Sequence, residues 1–196
     1  MSRITPASAK FVLAGLVACV LVTTQAACSA RSGTDAAAPA ADPGEQRAID
    51  DNVIKLELNR RLIDDGLGLF KDVTTVVFGG RVLLIGSVGE PESVARAGTL
   101  AQEIAGVQEV INEIQTDDTG GIGAFISDVI IEKSIQSSLL FDDAIDSTNF
   151  RVRSVNGVVY MIGQAANQSE YDRATAVVSE TTDVRQIVNY VLVSPE

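Results

Sequence analysis

The chain has 196 residues, 46% apolar and 21% charged, with 15 basic against 26 acidic side chains, a net charge of −11 and no histidine. That composition belongs to a folded protein rather than a disordered one, and its acidity repels nucleic acid, so no nucleic-acid partner is expected. Both cysteines, Cys19 and Cys28, lie near the N-terminus, which leaves only carboxylates for acid–base or metal work further on and excludes enzymes built on histidine or cysteine.

Residues 1–27 read as a lipoprotein signal peptide. Arg3 and Lys10 are their only charges, the apolar run FVLAGLVACVLV spans Phe11 to Val22, and the small residues Ala26 and Ala27 follow. The run is too short and too weakly flanked for a membrane-spanning helix. A cysteine at such a boundary is a site for an acyl anchor. QAAC, ending at Cys28, keeps the whole apolar run ahead of it and is the preferred lipid attachment site. LVAC, ending at Cys19, matches the usual spelling better but shortens the run, so Cys19 is the alternative. Simple cleavage near Ala26 or Ala27 would release a soluble periplasmic protein instead. Residues 28–46, rich in Ala, Pro, Gly and Asp, have little to bury and read as a flexible tether.

From there the chain repeats itself. Gly80 and Gly157 stand 77 positions apart, and the same offset pairs Asp51 with Asp128, Val82 with Val159, Ile85 with Ile162, Gly86 with Gly163, Arg96 with Arg173 and Asn112 with Asn189, without a gap. This is an internal duplication.

Each copy opens with a helix. Ile49, Val53 and Leu56 with Ile54, Leu58 and Leu62 fall at helical spacing, and Ile126 and Ile130 with Ile131, Ile135 and Leu139 repeat them. These stripes read chiefly as core, with an exposed isoleucine on the helix 126–140 as the one hint of a contact surface. Two β-rich runs follow in each copy, joined by Gly79-Gly80 and Asn156-Gly157, which supply the positive φ that a two-residue hairpin turn requires. Gly86 and Gly163 are expected to end the second strand. A second helix comes next, with Pro91 in the first turn of one copy and Asn167 capping the other. A last strand closes each unit, ending at Ile114 and Val193.

The fold class is therefore α+β, two tandem α-β-β-α-β units, each a three-stranded mixed sheet with two helices on one face. The expected division is domain 1 over 47–117, a linker over 118–125 and domain 2 over 126–196. So small a unit is marginal alone, so the two copies are expected to pack on one another.

The phrases GGRVLLIG, ESVARA and AGVQEVINEI of the first copy, and NGVVYMIG and DVRQIVN of the second, resemble the BON domain, a small α-β-β-α-β module of bacterial envelope proteins. The second copy has Asp183 where the motif prefers the glycine present at Gly106. Two such units behind a lipoprotein signal resemble the dual-BON lipoproteins of the DolP type. The same tandem occurs in soluble, stress-induced periplasmic proteins of the OsmY type. The first resemblance implies a non-enzymatic outer-membrane lipoprotein facing the periplasm, which supports envelope integrity by binding phospholipid, envelope proteins or both, with no cofactor. It assigns phospholipid binding to the opening helix of the second unit, here Asp128 to Leu140, with Val129, Ile130 and Lys133 facing the membrane. The aromatic residue expected near Ile130 is missing, and Lys133 is this helix's only basic residue.

Other motifs read as scaffold. Asp64-Asp65, Asp117-Asp118 and Asp142-Asp143 have no metal-loop spacing and fit solvated loop ends. Gly120-Gly121-Ile122-Gly123 spells the backbone clamp of some RNA-binding loops, but it sits behind two aspartates rather than among basic residues. Arg60-Arg61 fit a solvated helix end.

Overall fold

The computed structural model describes residues 43–66, 68–116 and 122–195. The element order is α1 Pro43–Asp65, β1 Val73–Phe78, β2 Arg81–Ser87, α2 Pro91–Gln102, β3 Glu109–Gln115, then α3 Ile122–Leu140, β4 Phe150–Val155, β5 Val158–Ala165, α4 Gln168–Ser179 and β6 Gln186–Val193. Each set of three strands forms its own sheet, with β2 and β5 in the middle. The hairpins β1–β2 and β4–β5 are antiparallel, and the pairs β2–β3 and β5–β6 are parallel, because a helix intervenes in each of the latter. The helices extend past their sequence-read limits: α1 takes in Pro43 to Gln46 of the stretch read as tether, and α3 starts at Ile122, inside the segment read as linker.

The central strands explain the apolar runs in the repeated phrase. In β2, Val82 and Leu84 face a core shared with Ile54, Leu58 and Leu62 of α1 and with Ala97 and Ala101 of α2. Leu83 and Ile85 point the other way and join Val76 and Phe78 with Tyr160 and Ile162 of the second unit. Val159 and Met161 of β5 face the second unit's own core, with Ile131, Ile135 and Leu139 of α3. Each sheet is thus covered by helices on one face and by the other sheet on the opposite face, which is why its central strand is apolar at successive positions. The expectation that the copies pack together holds, and they do so through matching faces: Tyr190 donates a hydrogen bond to Glu113, its counterpart 77 residues earlier. Arg81 adds a bond to the Tyr190 carbonyl at 2.7 Å. All three cores lie within Ala40–Glu196, a compact unit in itself.

Both hairpin turns have positive φ at their two central residues, 59° and 75° at Gly79 and Gly80, 54° and 76° at Asn156 and Gly157, as a tight right-twisted hairpin requires. Each turn is held by the opening helix of its own unit. Asp51 accepts from the backbone N–H of Gly79 at 2.8 Å and Gly80 at 2.9 Å. Asp128 accepts from Asn156 at 2.7 Å, Gly157 at 2.8 Å and the Ser154 hydroxyl at 2.6 Å. Both aspartates are buried, so the offset that paired them in the sequence marks a common joint between helix and sheet.

Contrary to the sequence reading, Gly86 and Gly163 do not end their strands: β2 runs on to Ser87 and β5 to Ala165. They are glycine because the start of the neighbouring strand crosses over them. A Cβ would collide with the backbone carbonyl of Asp72 at Gly86 and of Asn149 at Gly163. Asn167 caps α4 by accepting from the Glu170 N–H, and Pro91 stands in the first turn of α2, both as expected. Asp183 takes a φ of 67° where Gly106 has 91°, so the second unit keeps the backbone bend without the glycine.

Removing the joint has a predictable cost. In urea denaturation of Ala40–Glu196, Asp51→Ala is expected to lower stability by about 2 kcal/mol and Asp128→Ala by about 3 kcal/mol, since buried donors lose a charged acceptor and Asp128 serves one more. Losses below about 0.5 kcal/mol in both variants would show that the joint is dispensable.

Candidate lipid-contact surface

The buried face of α3 consists of Asp128, Ile131, Ile135 and Leu139. On the opposite side the helix exposes Ile126 by 56%, Val129 by 42%, Ile130 by 63% and Leu140 by 66%, with Lys133 and Ser137 exposed among them. Val129, Ile130 and Lys133, the residues singled out from the sequence, therefore share one solvent-facing surface. Phe141 continues it. Its N–H bonds the Ser137 carbonyl at 3.1 Å, so the helical path persists, and three turns at 3.6 residues bring it into line with Ile130. At 81% exposure it is the most exposed of the large apolar side chains described. An aromatic side chain, missing near Ile130, is thus present at the far end of the same stripe.

The charges of α3 are distributed unevenly. Its two acids turn away from the exposed stripe: Asp128 into the hairpin joint, and Glu132 onto the Ser154 N–H at 2.9 Å and the Arg153 guanidinium at 3.2 Å. Lys133 remains outside and, among the described residues, bonds the neutral amide oxygen of Gln136 at 3.2 Å. A locally apolar, weakly cationic face results on a chain that is acidic as a whole.

The opening helix of the first unit carries a comparable stripe that sequence reasoning assigned to the core. Val53 is 63% exposed and Leu56 73%, and Ile63, outside the stripes read from the sequence, 55%. The signal available was the width of the apolar face: two adjoining stripes cover more than one sheet can bury. The charges of α1 differ from those of α3. Glu57 bonds both Arg60 and Arg61 at 2.9 Å, Asp64 bonds Arg60 at 2.6 Å, and Glu103 reaches Arg61 at 3.4 Å. Arg60 and Arg61 are thus engaged by carboxylates rather than presented to a partner.

Among the carboxylate pairs, Asp65 binds Arg96 and Asp142 binds Arg173, the same bridge in both repeats. The Arg96 guanidinium lowers the Asp65 carboxyl, and the Ala144 N–H followed by Arg173 lowers that of Asp142. These acids tie the end of each opening helix to the helix that follows the hairpin. Asp117 and Asp118 lie outside the described residues, as do Cys19 and Cys28 and the first two glycines of the GxxG run; Ile122 and Gly123 begin α3. Among the described residues no helix is long and apolar enough to cross a membrane, so contact with lipid by α3 would be lateral.

The profile of the BON domain matches residues 50–118 and again residues 127–195. The chain belongs to the BON-domain family. It is 29% identical to the outer membrane lipoprotein DolP of Haemophilus influenzae over 80% of its own length and 81% of that protein's. It is 31% identical to a 21 kDa hemolysin of Actinobacillus pleuropneumoniae over 73% of this chain and 75% of the relative. To the osmotically-inducible protein Y of Escherichia coli strain K12 it is 24% identical, over 72% and 71%. It is a dual-BON protein similar to both DolP and the osmotically-inducible protein. The outer stripe of α3 is thus the exposed side of the second BON unit's opening helix.

The ion network on α1 yields a pH dependence. Hydrogen bonds from Arg60 and then Arg61 hold the Glu57 carboxyl down to about 2 from an ordinary 4.5. A depressed folded-state value stabilises the protein above the unfolded value and is lost as pH falls through the folded one. The thermal midpoint of Ala40–Glu196 is expected to exceed that of its Glu57→Gln variant at neutral pH, with the gap closing as pH falls from 4.5 towards about 2. A gap independent of pH would contradict this.

Proposed function

We propose that this BON-domain protein belongs to the cell envelope of a Gram-negative bacterium, is held at the outer membrane by an acylated Cys28 or Cys19, and faces the periplasm. There it touches phospholipid with the outer stripe of α3, supporting envelope integrity without enzymatic activity. The observation that carries the reading is the sorting of α3's side chains: both acids are committed to the hairpin, while Ile126, Val129, Ile130 and Phe141 surround Lys133 on the free side. The likeness to an outer membrane lipoprotein supports the location.

Magnitudes favour an apolar contact steered weakly by charge. Each buried isoleucine or phenylalanine contributes about 1.5–3 kcal/mol, whereas one cation near an anionic leaflet adds about 1 kcal/mol, which the net charge of the protein opposes. Val129 and Ile130 therefore set the affinity, and Lys133 a preference for anionic head groups. The α1 stripe is the poorer candidate, because Glu57 and Asp64 stand beside it.

Two experiments test this. In vesicle flotation of Ala40–Glu196, Ile130→Asp is expected to weaken binding at least about tenfold, and Lys133→Gln only about fivefold. Equal binding by wild type and Ile130→Asp would remove α3 from the reading. For the anchor, the full chain is expected to enter the detergent phase, and one of Cys28→Ser and Cys19→Ser, but not both, to lose that partitioning. Retention of both variants in the aqueous phase along with wild type would identify a soluble periplasmic protein of the osmotically-inducible kind.

A further inference from the structure

A cleft of about 370 Å³ lies between the two BON units, walled by the N-terminal half of α1 and β1 on one side and by the C-terminal half of α3 and β4 on the other. Its polar lining is unlike the rest of this acidic protein. Lys55, Arg151 and Arg153 enter it, and its only acid is Asp51, whose oxygens are occupied by the Gly79 and Gly80 amides. Arg153 is tied to Glu132. Lys55 and Arg151 have no carboxylate partner among the described residues, a state they share outside the cleft with Arg47, Lys133 and Arg185, whereas Arg60, Arg61, Lys71, Arg81, Arg96 and Arg173 each have one.

Arg151 is also held in place. Its guanidinium lies 5.5 Å from the centroid of the Phe78 ring, which Arg47 approaches at 5.9 Å, and one nitrogen donates to the Thr148 carbonyl at 2.7 Å. Ring and carbonyl fix the plane of the guanidinium while leaving its other nitrogens unassigned. Collecting unneutralised cations at a domain junction costs free energy unless an anion joins them. Beside them Val76, Val77 and Leu139 offer an apolar bed.

We infer that this cleft binds a phosphate ester, its phosphate between Lys55 and the guanidinium of Arg151, its aliphatic part against Val76 and Leu139. A soluble phosphate ester and the head group of a phospholipid share that chemistry. The cleft meets the outer stripe of α3 only at Leu140, so the inference stands independently of whether that stripe meets lipid.

The test is a nuclear magnetic resonance titration of Ala40–Glu196 with three probes: inorganic phosphate, glycerol 3-phosphate, and vesicles of phosphatidylglycerol in phosphatidylcholine. The resonances of Lys55, Arg151 and Val76 are expected to shift. Lys55→Gln with Arg151→Gln should weaken the response about tenfold or more, the loss of a charge-assisted hydrogen bond, while Lys55→Arg retains it. Lys55→Gln alone guards against misfolding, since Lys55 makes no ion pair among the described residues. A response to glycerol 3-phosphate assigns a soluble ester; a response at these residues to the anionic vesicles alone assigns a head group. No shift at these residues with any probe, or shifts unchanged in the double variant, would overturn the inference. Ile130→Asp separates this site from α3, because it should weaken flotation at least about tenfold while leaving the glycerol 3-phosphate response intact.

Discussion

One buried carboxylate in each opening helix joins that helix to the hairpin beneath it. Without Asp51 and Asp128, the amides of Gly79, Gly80, Asn156 and Gly157 would be turned towards the protein with no acceptor, a cost on the scale of the stability of a small domain. The joint sets the rotation of the helix about its axis. In α3 that rotation places Ile131, Ile135 and Leu139 in the core and leaves Ile126, Ile130 and Phe141 outside. The exposed stripe is thus a consequence of how the helix is held.

Duplication supplies the second constraint. Each sheet has one face for its helices and one that would be exposed in an isolated unit, and pairing the two exposed faces buries Leu83 and Ile85 with Tyr160 and Ile162. Once the sheets are committed to each other, the outer sides of α1 and α3 remain for interaction. They diverged in charge: α1 carries a dense ion network around Glu57, Arg60, Arg61 and Asp64, while α3 keeps Lys133 alone outside. The same packing brings β4 of one unit beside α1 of the other, so the cationic cleft has no counterpart within a single unit.

Much of the fold was legible from the 77-residue offset. Turn chemistry at Gly79-Gly80 and Asn156-Gly157, the cap at Asn167 and the helical spacing of Leu58 and Ile135 are local signals, and local signals survive in sequence. The role of Gly86 and Gly163 did not, because the carbonyl that forbids a side chain there belongs to a neighbouring strand. Nor did the exposure of Val53 and Leu56, since periodicity shows how wide an apolar face is but not how much of it a partner covers. Val129, Ile130 and Lys133 came from family resemblance; Phe141 escaped notice because it follows the helix rather than lying within it. Arg151 and Lys55 could not be paired from sequence, since only the docking of the two sheets brings them together.

The central claim is that the face of α3 left outside by its aspartate joint is the face that meets lipid. Paramagnetic broadening from doxyl-labelled lipid in phosphatidylglycerol-containing vesicles, read residue by residue in Ala40–Glu196, tests it most directly. Broadening centred on Ile126, Val129, Ile130, Lys133 and Phe141, with Ile131 and Ile135 less affected, is the predicted result. Broadening centred instead on Val53 and Leu56 of α1, or none at any residue, would contradict it.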